Sequence, residues 1–236
     1  MKVKELSVFF PAFNEEKNIQ KTIEKAVGVL EKIAEKWEII VVDDGSTDKT
    51  GEIVEGLIKK NPQIRMITHT PNCGYGAALK SGFYNSQYEW IAYTDADGQF
   101  DFSEITNFFE KQKQTNADLV IGYYLKRAVS FYRIVGSRFW ELMVFLIFGL
   151  KVRDIDCGFK LVRRKVIKQI SKLEAERGPF ISSELLIKAK KSGFKITEIG
   201  VHHYPRKAGQ ATGASLKVIL SGLKDLMRLK RRLAKL

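Results

Sequence analysis

The sequence predicts an α/β fold with a mixed, mostly parallel sheet, helices on both of its faces and an amphipathic helix at the C-terminal end. Three observations carry this. Over the first 122 residues, short apolar or β-branched runs alternate with longer helical segments, the pattern of successive βαβ units. Acid-bearing polar clusters follow three of the strands, at the carboxyl ends where an open α/β sheet binds ligands. Hydrophobic residues at 44% and charged residues at 28% are ordinary globular values, which excludes disordered, collagen-like and coiled-coil chains.

The elements follow in order. Leu6–Phe10 is a short apolar strand. Asn14 is a candidate cap for a helix over Glu15–Ala34, with Ile19, Ile23, Ala26, Val27 and Leu30 on one face. Glu38–Val42 is a strand, Lys49–Lys60 a helix stopped by Pro62, and Ile64–Thr68 a third strand. Gly74–Ser86 reads as a loop feeding a helix, Trp90–Thr94 as a strand, Ser103–Gln114 as a helix and Leu119–Ile121 as a strand. Beyond Gly122 the spacing predicts a long aromatic-rich helix over Arg133–Leu150, a strand over Ile155–Val162 and a helix over Ser182–Ser192. A strand over Ile196–Val201 and a basic amphipathic helix from about Ser215 to Lys235 complete the chain. We expect one domain over 1–236: a ligand-binding half at 1–122, a second half at 123–214 and the basic helix at 215–236.

The net charge of +13 is unevenly spread. Residues 1–120 carry a net of −5 and residues 121–236 a net of +18. A strongly basic half suits nucleic acid, an anionic membrane surface or a phosphorylated substrate, and composition does not choose among them. Cys73 and Cys157 are too few for a disulfide framework and suit a reducing compartment. No secretory signal pattern is visible, and the apolar stretch Leu142–Phe148 is too short to cross a bilayer, so no transmembrane segment is expected.

The three clusters are Pro11-Ala12-Phe13-Asn14-Glu15, Asp43-Asp44-Gly45-Ser46-Thr47-Asp48 and Asp95-Ala96-Asp97-Gly98-Gln99. Each alone is explained by capping or a turn, with Asn14 and Ser46 or Thr47 as N-caps. Three on one sheet edge point to a site. On an extended segment, Asp95 and Asp97 at i, i+2 would point to one side and repel unless a cation joins them. Mg²⁺ or Mn²⁺ suits such carboxylates and brings a substrate diphosphate with it. An acid/base pair is the competing reading. Gly74-Tyr75-Gly76-Ala77-Ala78-Leu79-Lys80-Ser81 fails as a P-loop because Leu79 stands where a glycine is required. It reads as a turn before a helix N-terminus. Cys157, without a nearby histidine, is poor support for zinc. His202 and His203 read as structural, beside a basic loop in which Arg206, Lys207 and Gly209 could close over phosphates.

The motifs FFPAFNEEKNI, VVDDGSTDKT, GYGAALKSGF, YTDADGQF, DCGFKLVRR and HYPRKAGQATG, in this order, resemble those of family 2 glycosyltransferases of the GT-A fold. Within that family the likeness is greatest to the polyprenyl-phosphate sugar synthases. The resemblance implies that Pro11, Phe13, Glu15 and Asp43 hold the donor nucleoside and that Asp95 and Ala96 contact the donor. It implies Asp97 and Gln99 as metal ligands beside Asp95, and Arg133 and Arg206 near the donor diphosphate and acceptor phosphate. Asp97, Arg133 and Arg206 are thereby the expected catalytic set. Lys126 or Arg127 is a further basic candidate, although Gly122-Tyr123-Tyr124-Leu125 departs from the family pattern.

The implied reaction is inverting transfer from a nucleotide-sugar (GDP-mannose or a UDP-sugar) to polyprenyl or dolichyl phosphate. A phosphate acceptor is largely a dianion at neutral pH and needs no general base. A saccharide hydroxyl, the alternative acceptor of a soluble family 2 enzyme, would need one, and Asp156 and Glu184 are the candidates. The expected setting is the cytoplasmic face of a membrane, held peripherally through the C-terminal helix or the 133–150 helix, or the cytoplasm. A membrane-spanning partner is a further candidate. Nucleic-acid binding, the reading from another class, leaves the acidic clusters unexplained, and no nucleic-acid partner is expected.

Overall fold

A computed structural model describes residues 2–126, 131–175, 178, 180–206 and 216–233, with side-chain surroundings for all of these except 131–133 and 216–221. Seven strands form one sheet: β1 (Val3–Ala12), β2 (Ala34–Asp43), β3 (Ile64–Thr68), β4 (Trp90–Tyr93), β5 (Leu119–Tyr124), β6 (Lys160–Arg163) and β7 (Ile196–Val201). Their order is β3-β2-β1-β4-β6-β5-β7. All run parallel except β6, which is antiparallel to both β4 and β5. The eight helices among the described residues are α1 (Ile19–Ile33), α2 (Thr50–Lys60), α3 (Tyr75–Asn85), α4 (Ile105–Thr115), α5 (Phe131–Phe148), α6 (Arg164–Gln169), α7 (Phe180–Lys191) and α8 (Leu216–Leu233). The mixed, mostly parallel sheet with flanking helices is as the sequence predicts.

Strand periodicity divides the core in two. Leu6, Val8 and Phe10 of β1 and Ile39 and Val41 of β2 face one side, where they meet Ile19, Ile23 and Leu30 of α1, Val54 of α2 and Phe108 of α4. Phe9, Ile40 and Val42 face the other side, with Leu79 and Phe83 of α3, Val144 of α5 and Leu185 of α7. Fully burying each such side chain is worth about 1.5–3 kcal/mol before chain entropy is counted. The Phe9 and Tyr93 rings stack at 5.1 Å between centroids, and Phe83 meets Phe9 edge-on at 5.0 Å. Gly82 lets α3 lie this close, because a Cβ there would stand 2.3 Å from the Phe9 ring.

Besides shifts of a few residues at strand and helix ends, four features differ from the sequence reading. The first helix begins at Ile19, not Glu15, and Asn14 does not cap it: its φ is +57° and its side chain serves another loop. The Ser103–Gln114 helix opens with a 3₁₀ turn at Phe102–Glu104. The Ile155–Val162 strand shrinks to Lys160–Arg163, because Asp154 Oδ1 accepts hydrogen bonds from the amides of Asp156 and Cys157 and turns the chain there. The six-residue α6, unforeseen, directly continues β6.

The topology gathers the loops. Strands β1, β2, β3, β4, β5 and β7 all end on one edge, and β6, running the other way, starts there. Residues after Ala12, Asp43, Tyr93, Tyr124 and Val201, and those before Lys160, therefore meet. Among the described residues no helix is long and apolar enough to cross a membrane.

The two helices offered for a lipid surface behave differently. On α8, Leu226, Leu229 and Leu233 are buried in the core cluster shared with α7, while Lys224, Arg228, Lys230, Arg231 and Arg232 are exposed. Core packing thus takes up this part of the α8 apolar stripe. On α5, Trp140 reaches inward to donate to Ser183 Oγ at 2.9 Å, but Val135, Phe139, Leu142, Phe145 and Leu146 are exposed.

Candidate active site

The loop after β1 and the loop after β2 are stitched together by short polar side chains. Thr47 N donates to Asn14 Oδ1 (2.8 Å), Asn14 N to Ser46 Oγ (2.9 Å), Glu15 N to Thr50 Oγ1 (2.8 Å) and Glu16 N to Asp48 Oδ2 (3.1 Å). Asn14 and Ser46 thus close a loop-to-loop seam instead of capping helices, and asparagine suits this because it tolerates positive φ. The first turn of α2 is served by Asp48, whose Oδ1 accepts from Thr50 N at 2.9 Å. Its hydrogen bonds to Thr50 and Glu16 outweigh the desolvation that opposes them, so its pKa lies below the usual range.

The paired Asp43 and Asp44 have separate tasks. Asp43 accepts from Ser46 N at 3.0 Å and shapes the turn. Asp44 Oδ1 accepts from Cys73 N (3.0 Å) and lies 2.6 Å from His69 Nδ1; its Oδ2 accepts from Gly74 N (2.8 Å). His69 Nε2 lies 2.9 Å from Ser81 Oγ of α3. The cluster of Asp44, His69 and Cys73 could geometrically hold a cation. Both ring nitrogens and both carboxylate oxygens already have hydrogen-bond partners, so we read it as the clamp that seats the 69–74 loop and starts α3.

That seat places Tyr75, whose hydroxyl donates to Asp95 Oδ1 at 3.0 Å. The sequence reading missed this residue, because nothing local links two side chains twenty positions apart. It also missed Gly158: a Cβ there would stand 2.4 Å from Asp95 Oδ2, so only glycine lets the turn before β6 press on this carboxylate. Lys160, fully buried beneath, donates to the Cys157 carbonyl and lies 5.6 Å from the centre of the Tyr93 ring.

The segment after β4 is not extended as expected; the chain turns at Ala96-Asp97. Gln99 N donates to Asp97 Oδ1 at 3.0 Å, an Asx-type turn. The two carboxylates still interact. Burial and then the charge of Asp97 push Asp95 up to about 7, while Tyr75, Lys160 and Arg206 act to lower it. Glu15 is raised by burial too, opposed by Asn18 and Arg206. Arg206 Nη2 donates to Glu15 Oε1 and to Asp97 Oδ2, each at 3.0 Å. Gln99 Nε2 donates to the Tyr204 carbonyl and Tyr204 N to the Gln99 carbonyl, both at 2.9 Å, which ties the loop after β7 to the turn after β4.

The expected Mg²⁺ or Mn²⁺ can be tested against these residues. Asp95 and Asp97 are hard oxygen donors in mutual repulsion, and Asp97 Oδ2 already faces a guanidinium, a cation in the place where a metal charge would sit. The residues fit such an ion. The linkage gives a first prediction. An unfolded aspartate titrates near 4. Between about pH 4 and 7 the folded chain therefore holds a proton on Asp95 that the unfolded chain lacks, and stability falls as pH rises through that window. The melting temperature in EDTA should drop from pH 5 to pH 7.5, and Asp95→Asn should flatten the slope; an unchanged slope would refute the assignment.

The other sequence-predicted residues fall as follows. Pro11 and Ala96 are buried at the edge, Phe13 is exposed beside them, and Lys126 is exposed after β5. Arg127, Lys207 and Gly209 lie outside the described residues; Arg133 lies in α5, its side chain outside them. Glu184, a candidate base, accepts from the amides of Glu174 and Ala175 and pairs with Lys188 at 2.6 Å. Asp156 is exposed in the turn before β6. The Cys157 thiol, pushed up to about 12 by burial, is no ready metal ligand. His203 packs on Phe100 and Tyr124, and His202 on Glu104, as structural histidines.

Comparison with known proteins gives the family and the fold. The profile of glycosyl transferase family 2 matches residues 7–171. A dolichyl-phosphate beta-glucosyltransferase of Trichomonas vaginalis is 31% identical over 90% of this chain and 68% of its own length. A dodecaprenyl-phosphate galacturonate synthase of Rhizobium johnstonii is 30% identical over 87% of this chain and 60% of its own. The human dolichyl-phosphate beta-glucosyltransferase is 32% identical over 84% and 67%. The chain thus spans 60% to 68% of the length of these relatives. Among solved structures, glucosyl-3-phosphoglycerate synthase from Mycobacterium tuberculosis, in complex with Mn²⁺, UDP-glucose and phosphoglyceric acid, superposes with a TM-score of 0.70. It is 17% identical over 96% of this chain and 80% of its own. That likeness concerns the fold, which is GT-A as expected.

Proposed function

Because the chain belongs to glycosyl transferase family 2, we propose that it moves a sugar from a nucleotide-sugar, GDP-mannose or a UDP-sugar, to a polyprenyl or dolichyl phosphate at a membrane surface. One observation carries the reading: Glu15, Asp97 and Arg206, from three separate loops, converge with Arg206 between the two carboxylates. A donor diphosphate needs that mixture of cation-holding acids and a positive side chain. The names of the relatives point to lipid-phosphate acceptors.

In this reading Pro11, Phe13, Glu15 and Asp43 hold the nucleoside, and Asp95 and Ala96 the donor sugar-phosphate. Asp97, Gln99 and Asp95 would hold a divalent cation, whose charge would neutralise the departing diphosphate. The acceptor phosphate, with its second pKa near 6, attacks the anomeric carbon as a dianion. The new bond forms on one face while the bond to the nucleoside diphosphate breaks on the other, inverting the centre. Arg206 and Arg133 orient the two phosphates, and the chain contributes mainly position and charge. The commitment of Glu184 to two amides and Lys188 argues against one of the two candidates for the base that a hydroxyl acceptor would require.

The test is transfer from labelled nucleotide sugars, with Mg²⁺ or Mn²⁺, to a polyprenyl phosphate, followed by extraction. Label in the organic phase supports the proposal. Label only in water-soluble saccharide would replace it with the soluble family 2 reading.

The exposed residues of α5 are the membrane contact we propose. Val135, Phe139, Leu142 and Leu146 recur at one helical face, on a helix that belongs to the basic half of the sequence. Phe139→Ser with Leu146→Ser should lower partition onto phosphatidylserine-containing vesicles by at least about tenfold, since each side chain is worth 1.5–3 kcal/mol on burial. Unchanged partition would move the contact elsewhere, to a membrane-spanning partner among other places.

A further inference from the structure

We infer that Arg206 is the internal counter-ion of the donor carboxylates before the donor arrives, and that it competes with the divalent cation for Asp97. This rests on the proposed metal-assisted reading of the site and goes beyond it by giving the arginine a role in the unloaded protein. The geometry is specific. One nitrogen, Nη2, is shared between Glu15 Oε1 and Asp97 Oδ2, both at 3.0 Å. The other oxygen of Asp97, Oδ1, is held by Gln99 N at 3.0 Å. The oxygen facing Arg206 is therefore the one most available to a metal. All three side chains are well covered, at 23%, 9% and 9% exposure for Arg206, Glu15 and Asp97, so their charges are weakly screened.

The backbone supports exchange at this point. The loop after β7 is fixed to the turn after β4 by the two hydrogen bonds between Gln99 and Tyr204, and Arg206 follows two residues later. The long side chain can leave Asp97 without detaching that anchor. An incoming dication places like charge beside the guanidinium, which weakens the Arg206–Asp97 contact. Loading the metal with its donor thus loosens Arg206 from Asp97 and leaves part of its charge for a phosphate to take, while the Glu15 contact can stay. The arginine that stabilises the empty site becomes available only after the donor side is filled.

The experiment measures Mn²⁺ binding without any nucleotide-sugar, by the electron paramagnetic resonance signal of free Mn²⁺, on the full chain. Arg206→Gln removes the competing charge and should tighten Mn²⁺ binding roughly ten- to hundredfold, the worth of one hydrogen bond between charged groups. Arg206→Lys keeps the charge and should stay within about threefold of the parent. Equal or weaker Mn²⁺ binding by a folded Arg206→Gln, checked by its circular dichroism spectrum, would overturn the inference. Tighter binding together with no lipid-linked product from any donor would leave the counter-ion role standing and sink the acceptor proposal instead.

Discussion

Asp97→Asn is expected to reduce sugar transfer by on the order of 10²–10³-fold while leaving the melting temperature within a few degrees of the parent. The size follows from what this carboxylate does. It offers Oδ2 to a cation, holds the Gln99 turn through Oδ1 and adds its charge to the burial that raises Asp95. Asparagine keeps the shape and one acceptor for the Gln99 amide, so the turn survives. It removes the negative charge on which both Arg206 and a divalent ion depend. Lost transfer with retained Mn²⁺ affinity would place the metal elsewhere, and full transfer would refute the role of Asp97 altogether. Radiolabel transfer, a thermal melt and Mn²⁺ titration on the same preparation separate these outcomes.

Much of this site was legible before the structure because its parts sit where sheet topology must bring them together. The runs Leu6–Phe10, Glu38–Val42 and Trp90–Thr94 read as strands from apolar, β-branched and aromatic content, and parallel strands share one carboxyl edge. The errors are equally physical. Asn14 has the sequence signature of a cap, but whether a short polar side chain caps a helix or crosses to a neighbouring loop depends on a partner 33 residues away. Ile155–Val162 has the composition of a strand, yet Asp154 bends it by bonding two amides. Tyr75 on Asp95 and Gly158 against the same carboxylate leave no local trace, since each is defined only by packing. Arg206 reads from the sequence as part of a basic loop that could close over phosphates, and the family resemblance sets it near them. Its bridge to Glu15 spans 191 residues and no periodicity reports such a contact. The charge asymmetry was readable as a number, but the structure divides its use: Leu226, Leu229 and Leu233 of the basic α8 serve the core, and the exposed apolar ridge is on α5.

Glu184→Ala is expected to unfold the chain more readily, lowering stability by about 3–5 kcal/mol, the usual cost of breaking a buried ion pair from one side. Glu184 and Lys188 are 2% and 4% exposed, one helical turn apart on α7, with Nζ 2.6 Å from Oε1. The carboxylate also takes the amides of Glu174 and Ala175, and Lys188 donates to the Lys172 carbonyl, so the pair pins the 172–175 segment onto α7. Alanine leaves the buried ammonium of Lys188 without its counter-charge, with only the Lys172 carbonyl, and takes the acceptor from two part-buried amides. For a chain of this size the melting temperature should fall by roughly 10 °C. The double variant Glu184→Leu with Lys188→Leu removes both charges and should regain part of that loss, because well-packed apolar residues often replace a buried pair at little cost. A general base would behave in the opposite way. Its loss would depress the transfer rate at unchanged stability, and the doubly apolar variant would be no better than the single one. Thermal melts of the two variants, set beside their transfer rates at a temperature where both remain folded, decide between a structural pin and a proton acceptor.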